Sequence, residues 1–369
     1  MQPQISLCMI VRDEEKYIER CLASAKDIFD EIIIVDTGSQ DKTISLAKSF
    51  GARIFSYKWQ DNFSIPRNIS LEHAAGDWIF ILDADEWLCP ESKVLVKNLT
   101  DKKDVLGYRV SIQFHPDWSE MKSLRMFRNL PGLRFRGVFH EMLTITEKQT
   151  DKFLLSDIKI HHQLCTEKRK KSKFPRNIRL LEKHLKEYPE DIYQILCLAR
   201  IKIITNNFAE SKDLLTRASH VFKKTKFHKN SYELYLAHYY LQLMNYYSAL
   251  DDKSKSLAVC EKAVLEVPTY PLFSFEAAGL CYEMQKYDRA LDYFNKCLAF
   301  NKKQAYESNM FFPKAILGSQ SLAGLGYCYF RTKQYKHAAQ YFKDSLVLTN
   351  DDKIKLMYHA AVKLSNKTQ

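Results

Sequence analysis

Asp83 and Asp85 stand one residue apart in WIFILDADEW, residues 78–87. Two carboxylates at i and i+2 on a strand point to the same face and repel each other. A divalent cation removes that repulsion. Oxygen ligands suit Mg2+ or Mn2+, ions that keep open positions for a diphosphate. The acids follow the apolar run Trp78–Leu82. That run is too short to span a membrane and right for a strand buried on both faces. A lone Asp-x-Asp is more often a loop cap beside a solvated acid, so the elements that position the pair decide its meaning.

Those elements alternate. ISLCMIV (5–11), EIIIVD (31–36) and ARIFSYK (52–58) read as strands rich in β-branched residues. Between them, 13–26 places Ile18, Cys21 and Leu22 on one helical face, 39–50 is a helix closed by Gly51, and 64–75 is a helix ended by Gly76. This βαβ series predicts a mostly parallel sheet with helices on both faces. Ligands of such sheets bind beyond the C-terminal strand ends. Asp36 sits at one such end and Asp83 and Asp85 at another, which puts three carboxylates along one crevice. From 100 to 165 the alternation stops. Segments 107–114, 124–129, 134–140 and 157–162 read as shorter strands that extend the sheet as mixed or antiparallel members, and EKRKKSK (167–173) reads as a basic junction.

After about residue 174 the pattern is helical and repeats. Leu322, Leu325, Gly326, Tyr329, Ala338 and Phe342 match the roughly 34-residue tetratricopeptide spacing. Ala290 with Phe294, and Phe208, Ser211, Leu215 and Ala218, repeat its second helix, while Pro189 and Pro268 fall where one repeat turns into the next. Insertions are expected at 220–232 and 302–317. Four or five helix pairs are predicted, two of them degenerate. Stacked pairs form a concave surface suited to peptides, and their apolar ends make a homodimer a candidate. The expected division is an α/β domain over 1–168 and an all-α repeat domain over 169–369.

Composition excludes several classes. The 369 residues carry 56 Lys and Arg against 44 Asp and Glu, a formal charge of +12. The basic residues are spread along the chain without a finger or basic-zipper pattern, so nucleic acid is not an expected partner. Nine cysteines, at 8, 21, 89, 165, 197, 260, 281, 297 and 328, include no CxxC. They are expected as buried free thiols of a cytoplasmic protein. MQPQISLCMIVRDEE has neither a basic leader nor a cleavable apolar core, and no transmembrane segment or lipidation motif is read. No GxGxxG follows the first strand, which argues against a nicotinamide-binding fold.

Four ordered motifs, SLCMIVRDEEKYIERCLAS, EIIIVDTGSQDKT, WQDNFSIPRN and GDWIFILDADE, make residues 5–88 resemble a family 2 glycosyltransferase of the GT-A fold. The likeness extends over about 5–165. With RFRGVFHE, KIHH and the helical repeats added, the chain is similar to the bacterial peptide glycosyltransferases that modify glycocins. The resemblance implies roles position by position. Asp36 matches the acid that hydrogen-bonds the nucleotide base. Val11, Arg12 and Glu14 lie in the turn that walls it, and Arg67 matches an Arg on base or phosphate. Asp83 matches the acid on the ribose side and Asp85 the metal ligand, and the two together are expected to hold the divalent ion. His162, with His161 as second choice, is the downstream metal ligand. An inverting transferase needs one general base, for which Glu141 is the candidate. His140 is placed to orient substrate, bind donor phosphate or act as base. A thiol acceptor would lower the demand on that base. Arg125, Arg128, Arg134 and Arg136 are candidates to line the diphosphate, although edge-strand solvation accounts for at least half of them.

Three functions follow from these readings. The first is transfer of a sugar from a nucleotide sugar, a UDP-sugar such as UDP-glucose, to a Cys thiol or Ser/Thr hydroxyl of a peptide bound partly by the repeats, with Mn2+ or Mg2+. The second keeps the enzyme and changes the acceptor to a cell-surface or lipopolysaccharide-type glycan. The third is a non-catalytic repeat scaffold.

Overall fold

The computed structural model describes residues 3–164, 166–225, 229–300 and 311–367. Packing divides the chain into two compact units, Met1–Pro116 with Glu120–Pro189, and Asp117–Ser119 with Glu190–Gln369. The first is a GT-A-like, mainly parallel sheet covered by helices; the second is a tetratricopeptide-like helical stack.

The first unit opens with β1 (Ile5–Val11), α1 (Ile18–Ala25), β2 (Glu31–Asp36), α2 (Thr43–Ser49), β3 (Arg53–Ser56), α3 (Ser64–Glu72) and β4 (Trp78–Ile81). Each β-to-β step is a parallel crossover, with β1 paired to both β2 and β4. The reason is legible in burial. β1 is buried nearly throughout and β4 is buried at all four positions, while α1 buries Ile18, Cys21, Leu22 and Ala25 at helical spacing against the sheet.

The chain then runs through β5 (Glu86–Leu88), α4 (Ser92–Asn98), β6 (Gly107–Gln113), β7 (Met121–Arg128), β8 (Phe135–Arg136), β9 (Met142–Leu143), β10 (Phe153–His162) and α5 (Glu167–Glu187). The large sheet has the order β3-β2-β1-β4-β7-β6-β10-β5. β7 is antiparallel to β4 and β6, whereas β10 is parallel to β6. Two reversals restore direction. The C-terminal end of β10 therefore lies at the same edge as the C-terminal ends of β1, β2 and β4.

Three sequence readings change here. The segment 134–140 is a strand only at Phe135–Arg136, in a small sheet with Met142–Leu143. Gly137 at φ +106° and His140 at φ +51° turn the backbone out of the extended region. The helix expected from residue 13 starts at Ile18, because Asp13 takes φ +52° and its carboxylate accepts from Gln40 N. β5 and α4 were not expected. Each is short, and neither carries enough residues to display a period.

The second unit holds, among the described residues, four helix pairs and a last helix. They are α6 (Ile192–Ile204) with α7 (Phe208–Lys224), α8 (Lys229–Ala249) with α9 (Lys253–Glu266), α10 (Pro271–Glu283) with α11 (Tyr287–Ala299), α12 (Ser319–Arg331) with α13 (Tyr335–Leu348), and α14 (Asp352–Ser365). One backbone corner joins all four pairs. Asn206, Asp251, Gln285 and Lys333 each take a left-handed φ of 54–61°. The next residue's N–H then reaches back five positions: Asn207 to Lys202, Asp252 to Tyr247, Lys286 to Cys281 and Gln334 to Tyr329, at 2.8–2.9 Å. This closes the orphan carbonyls of the first helix in a Schellman-type cap. The recurrence marks a structural repeat even where the sequence is degenerate. Of the expected insertions, 226–228 and 301–310 lie outside the described residues.

Small residues set the distance between helices. A methyl group at Gly326 would lie 2.7 Å from the ring of Phe342, which is fully buried and has nowhere to move. At Gly279, also within a helix, nothing lies within 4 Å. Both glycines carry the same helix-propensity penalty, about 1 kcal/mol relative to Ala. Gly279→Ala is therefore expected to raise stability by up to that amount. Gly326→Ala, despite the same gain, is expected to lower it by about 1–2 kcal/mol net, as overpacking does. Denaturant melts of the two variants, which differ in sign, check this.

Candidate active site

The site begins with α3. Asn62 Oδ1 accepts from Ser64 N (2.8 Å) and Ile65 N, capping the helix start. Pro66 falls in the first turn, where its missing N–H costs nothing. The helix is laced to the segment that follows β8: Ser64 Oγ donates to Gly137 O, Phe63 N to Val138 O (3.0 Å) and Asn68 Nδ2 to Phe135 O (3.0 Å), and Phe135 N donates back to Asn68 Oδ1. Two motifs more than 60 residues apart, NFSIPRN and RFRGVFHE, thus form one structural piece, which holds Arg67 and Glu141 against each other.

Arg67 is the hinge of the site. Its side chain is 8% exposed. Its Nε donates to Glu141 Oε1 at 2.9 Å and its Nη2 to Asp83 Oδ1 at 2.5 Å. Arg125, at the register shift between β6 and β7, donates to Asp83 Oδ2 at 3.3 Å and to Glu86 Oε1 at 2.6 Å. Glu86 Oε2 accepts from Asp83 N. Five ionisable groups thus form a continuous chain, Glu141–Arg67–Asp83–Arg125–Glu86, with two cations and three acids. Burial raises the Asp83 carboxyl, but Arg67 and Arg125 outweigh it and hold it well below the usual range. Burial pushes Glu86 up to about 8, with Arg125 opposing and Asp83 adding to the rise. With Glu86 protonated the network is neutral, two guanidiniums against two carboxylates. Arg67 Nη1 and Arg125 Nε are buried without a hydrogen-bond partner, so two cationic donors remain for an anion.

Asp85 lies apart from this network and meets His162. His162 Nε2 is 3.7 Å from Asp85 Oδ1, with the two side chains 22% and 16% exposed. His162 Nδ1 is 2.8 Å from Gln163 O. A carbonyl only accepts, so Nδ1 carries the hydrogen, and in the neutral ring Nε2 presents its lone pair toward Asp85. This is the orientation that a metal-binding imidazole takes. His161 turns to the other face and packs on Trp87 at 5.3 Å between ring centres. The alternation of the strand decides between the two histidines. The oxygens of Asp83, the other acid expected at a metal, accept from the two arginines. Among the described residues no group of three or more His, Cys, Asp and Glu side chains gathers as a metal site. One carboxylate and one imidazole suit an ion that takes its remaining ligands from diphosphate and water.

The loops after β1 and β2 form the other end of the crevice. Asp36 is buried and pairs in register with Val11. Its carboxylate accepts from Gly38 N at 3.0 Å and Ser39 N at 3.1 Å, which shapes its own turn. Thr37 N donates to Val11 O, and Glu14 N to Thr43 Oγ1 at 2.7 Å. Val11 itself is core, so only its backbone can wall a ligand. Arg12 is half exposed beside Asp13. His140 is exposed and lies against Phe139, 4.1 Å between ring centres.

Of the four clustered arginines, Arg125 alone enters the network. Arg128 stacks on Trp78 at 4.6 Å and donates to Val105 O and Lys102 O. Arg134 donates to Leu130 O and Leu133 O. Arg136 is exposed. Glu86 went unread, although an acid directly after D-A-D at the start of an apolar triplet was the available signal.

Residues 6–161 match the model of glycosyl transferase family 2. The match covers less than half of the chain and takes in most of the first unit's large sheet. The chain is 42% identical over 144 residues to a TPR repeat-containing protein of Synechococcus elongatus, covering 38% of this chain and 35% of that protein. It is 29% identical over 232 residues to the SPbeta prophage-derived glycosyltransferase SunS of Bacillus subtilis, covering 60% of this chain and 54% of SunS. The chain thus spans about a third to a half of these curated relatives. Solved structures overlay loosely. One is S. aureus TarS 1-349 in complex with UDP-GlcNAc, with TM-score 0.41 and 13% identity over 71% of this chain and 92% of that one. No helix among the described residues is long and apolar enough to cross a membrane.

Two outcomes are expected of the buried network. Arg67→Met leaves Asp83 and Glu141 without their shared cation and is expected to cost about 3–5 kcal/mol in denaturant unfolding. Glu86 binds a proton more tightly folded than unfolded, so it should remove stability as pH rises from the ordinary carboxyl range through about 8. Glu86→Gln, which imitates the protonated acid, should flatten that fall. Melts of both proteins at pH 5 and pH 9 measure the difference. Equal slopes would refute the assignment of Glu86 as the network's protonated acid.

Proposed function

We propose that the chain is an inverting, metal-dependent glycosyltransferase. It moves a sugar from a nucleotide sugar, a UDP-sugar such as UDP-glucose, to a Cys thiol or Ser/Thr hydroxyl of a peptide or protein. The observation that carries this reading is the pairing of Asp85 with the lone-pair side of His162, at the sheet edge where Asp36 also ends its strand. The family 2 domain supports the reaction class. The similarity to SunS supports the acceptor reading, because it extends over 60% of the chain and so past residue 161.

In this reading Asp85 and His162 would hold Mn2+ or Mg2+, which would supply Lewis-acid stabilisation of the diphosphate's charge. Asp83 is kept anionic but neutralised by Arg67 and Arg125, so it can accept from the ribose without competing for the cation. Arg67 and Arg125 each keep a buried N–H without a partner, suited to a phosphate oxygen. Asp36 accepts from the base with lone pairs its own turn leaves over. The expected base is Glu141. Its ion pair with Arg67 fixes its place in the crevice, and a thiol acceptor would ask less of such a base than a hydroxyl. The repeats present the peptide.

Calorimetry with UDP and Mn2+ tests the donor site. Wild type and His161→Ala are expected to bind UDP with a Mn2+-dependent increment that Asp85→Ala and His162→Ala lose. A wild-type protein that binds no UDP with Mn2+ would favour a non-catalytic scaffold. For the chemistry, Glu141→Gln is expected to lower kcat about 10²–10⁴-fold with KM for the donor little changed. Transfer to a hydroxyl glycan but to no peptide would move the acceptor assignment to surface glycans.

A further inference from the structure

The second unit contains a pocket that the transferase reading does not use. Its volume is about 240 Å³, below the range of pockets for drug-sized ligands and suited to one side chain. Trp118 and Phe311 are stacked at its wall with ring centres 4.5 Å apart, and Met244 and Phe275 complete the apolar lining. The wall is built. Ser119 N donates to Phe312 O (2.8 Å), Phe312 N to Ser119 Oγ (3.0 Å) and Lys314 N to Asp117 O (2.7 Å), fixing Trp118 beside Pro313. Phe311 is 38% exposed, so the pocket meets solvent.

Two polar groups enter this apolar space, Asn245 and Glu276. No residue among those described forms an ion pair or hydrogen bond with the Glu276 carboxylate. The nearby acid of the same helix, Glu283, is paired with Lys253. A carboxylate beside aromatic faces, without a cation of its own, is costly unless one is supplied. Burial, with Glu283 adding to it, raises the Glu276 carboxyl above its ordinary range. Aromatic faces attract a cation as well. A lysine or arginine brings both an apolar stem for the walls and a charged head for the acid.

We propose that this pocket, lined by Trp118, Met244, Phe275 and Phe311 and floored by Glu276, captures one basic side chain of the acceptor peptide, away from the residue that is modified. The inference rests on the peptide-acceptor reading above.

The test titrates short acetylated Gly/Ser peptides, each with a single Lys, norleucine or Glu, into the full chain by calorimetry, without donor or metal. The Lys peptide is expected to bind about tenfold more tightly than the norleucine peptide, and the Glu peptide not to bind. Glu276→Gln should erase the preference for Lys while its thermal midpoint stays equal or rises. Phe311→Ala, at a partly exposed position, should weaken the Lys and norleucine peptides alike. Norleucine binding as well as Lys, or a preference that survives Glu276→Gln, overturns the proposal. So does a dimer in sedimentation that Phe311→Ala dissolves, because a second copy would then be the occupant. Peptide transfer that is indifferent to basic residues defeats this inference alone. Lys-selective binding without any transfer supports the pocket and defeats only the transferase reading.

Discussion

One buried guanidinium organises the first unit's working edge. Arg67 arrives on a short helix, and its two faces are claimed by acids from distant parts of the chain, Asp83 after β4 and Glu141 after β8. A cation this buried is tolerable only when both faces are paired. The pairing in turn requires the α3 helix and the 135–138 segment to stay laced together. Removing either motif would strand a charge. The geometry of the crevice is therefore a consequence of charge neutralisation as much as of sheet packing.

The network also separates the roles of two acids that look alike in sequence. Asp83 and Asp85 stand one residue apart in the turn between β4 and β5, yet Asp83 is absorbed by Arg67 and Arg125 while Asp85 turns to His162. Of the two like charges, one is relieved by protein cations and the other faces an imidazole. Glu86, buried behind them, absorbs the surplus negative charge by holding its proton. The sheet contributes the second half of this arrangement. Two antiparallel steps around β7 return β10 to the direction of β4, and only that reversal brings His162 to the edge where Asp85 waits.

The repeats follow a different logic. Their four corners use the same left-handed residue and the same backward hydrogen bond, yet the residues in that place are Asn, Asp, Gln and Lys. The repeat is conserved in backbone geometry rather than in letters, so pairs that look degenerate by sequence still stack. The close contact of Gly326 with Phe342 shows the complementary case, where one letter is required because a ring occupies the space a methyl would need.

Much was legible in the letters. The alternation of β-branched runs with amphipathic helices determined the early parallel strands, because burial on both faces leaves a strong local signature. The spacing of small and aromatic residues likewise marked the helical pairs. Asp36, Asp83 and Asp85 could be named as candidates because they close recognisable strands, and Arg67, Glu141 and His162 because the motifs around them resemble those of family 2 glycosyltransferases. What the letters left open was partnership. That Arg67 would bind Glu141, that Arg125 rather than its three neighbours would reach Asp83, and that His162 rather than His161 would face Asp85 depend on strand order, direction and register. Those are set by contacts among residues 40 to 80 positions apart. The short segments β5, α4 and β8 were hidden for the same reason. They have too few residues for a period, and their conformation is imposed by neighbours. Local sequence determined which elements form and which chemistry they carry; the tertiary structure alone decided which charges meet, because electrostatic pairing is a property of distance and burial, and neither is written in a single stretch of chain.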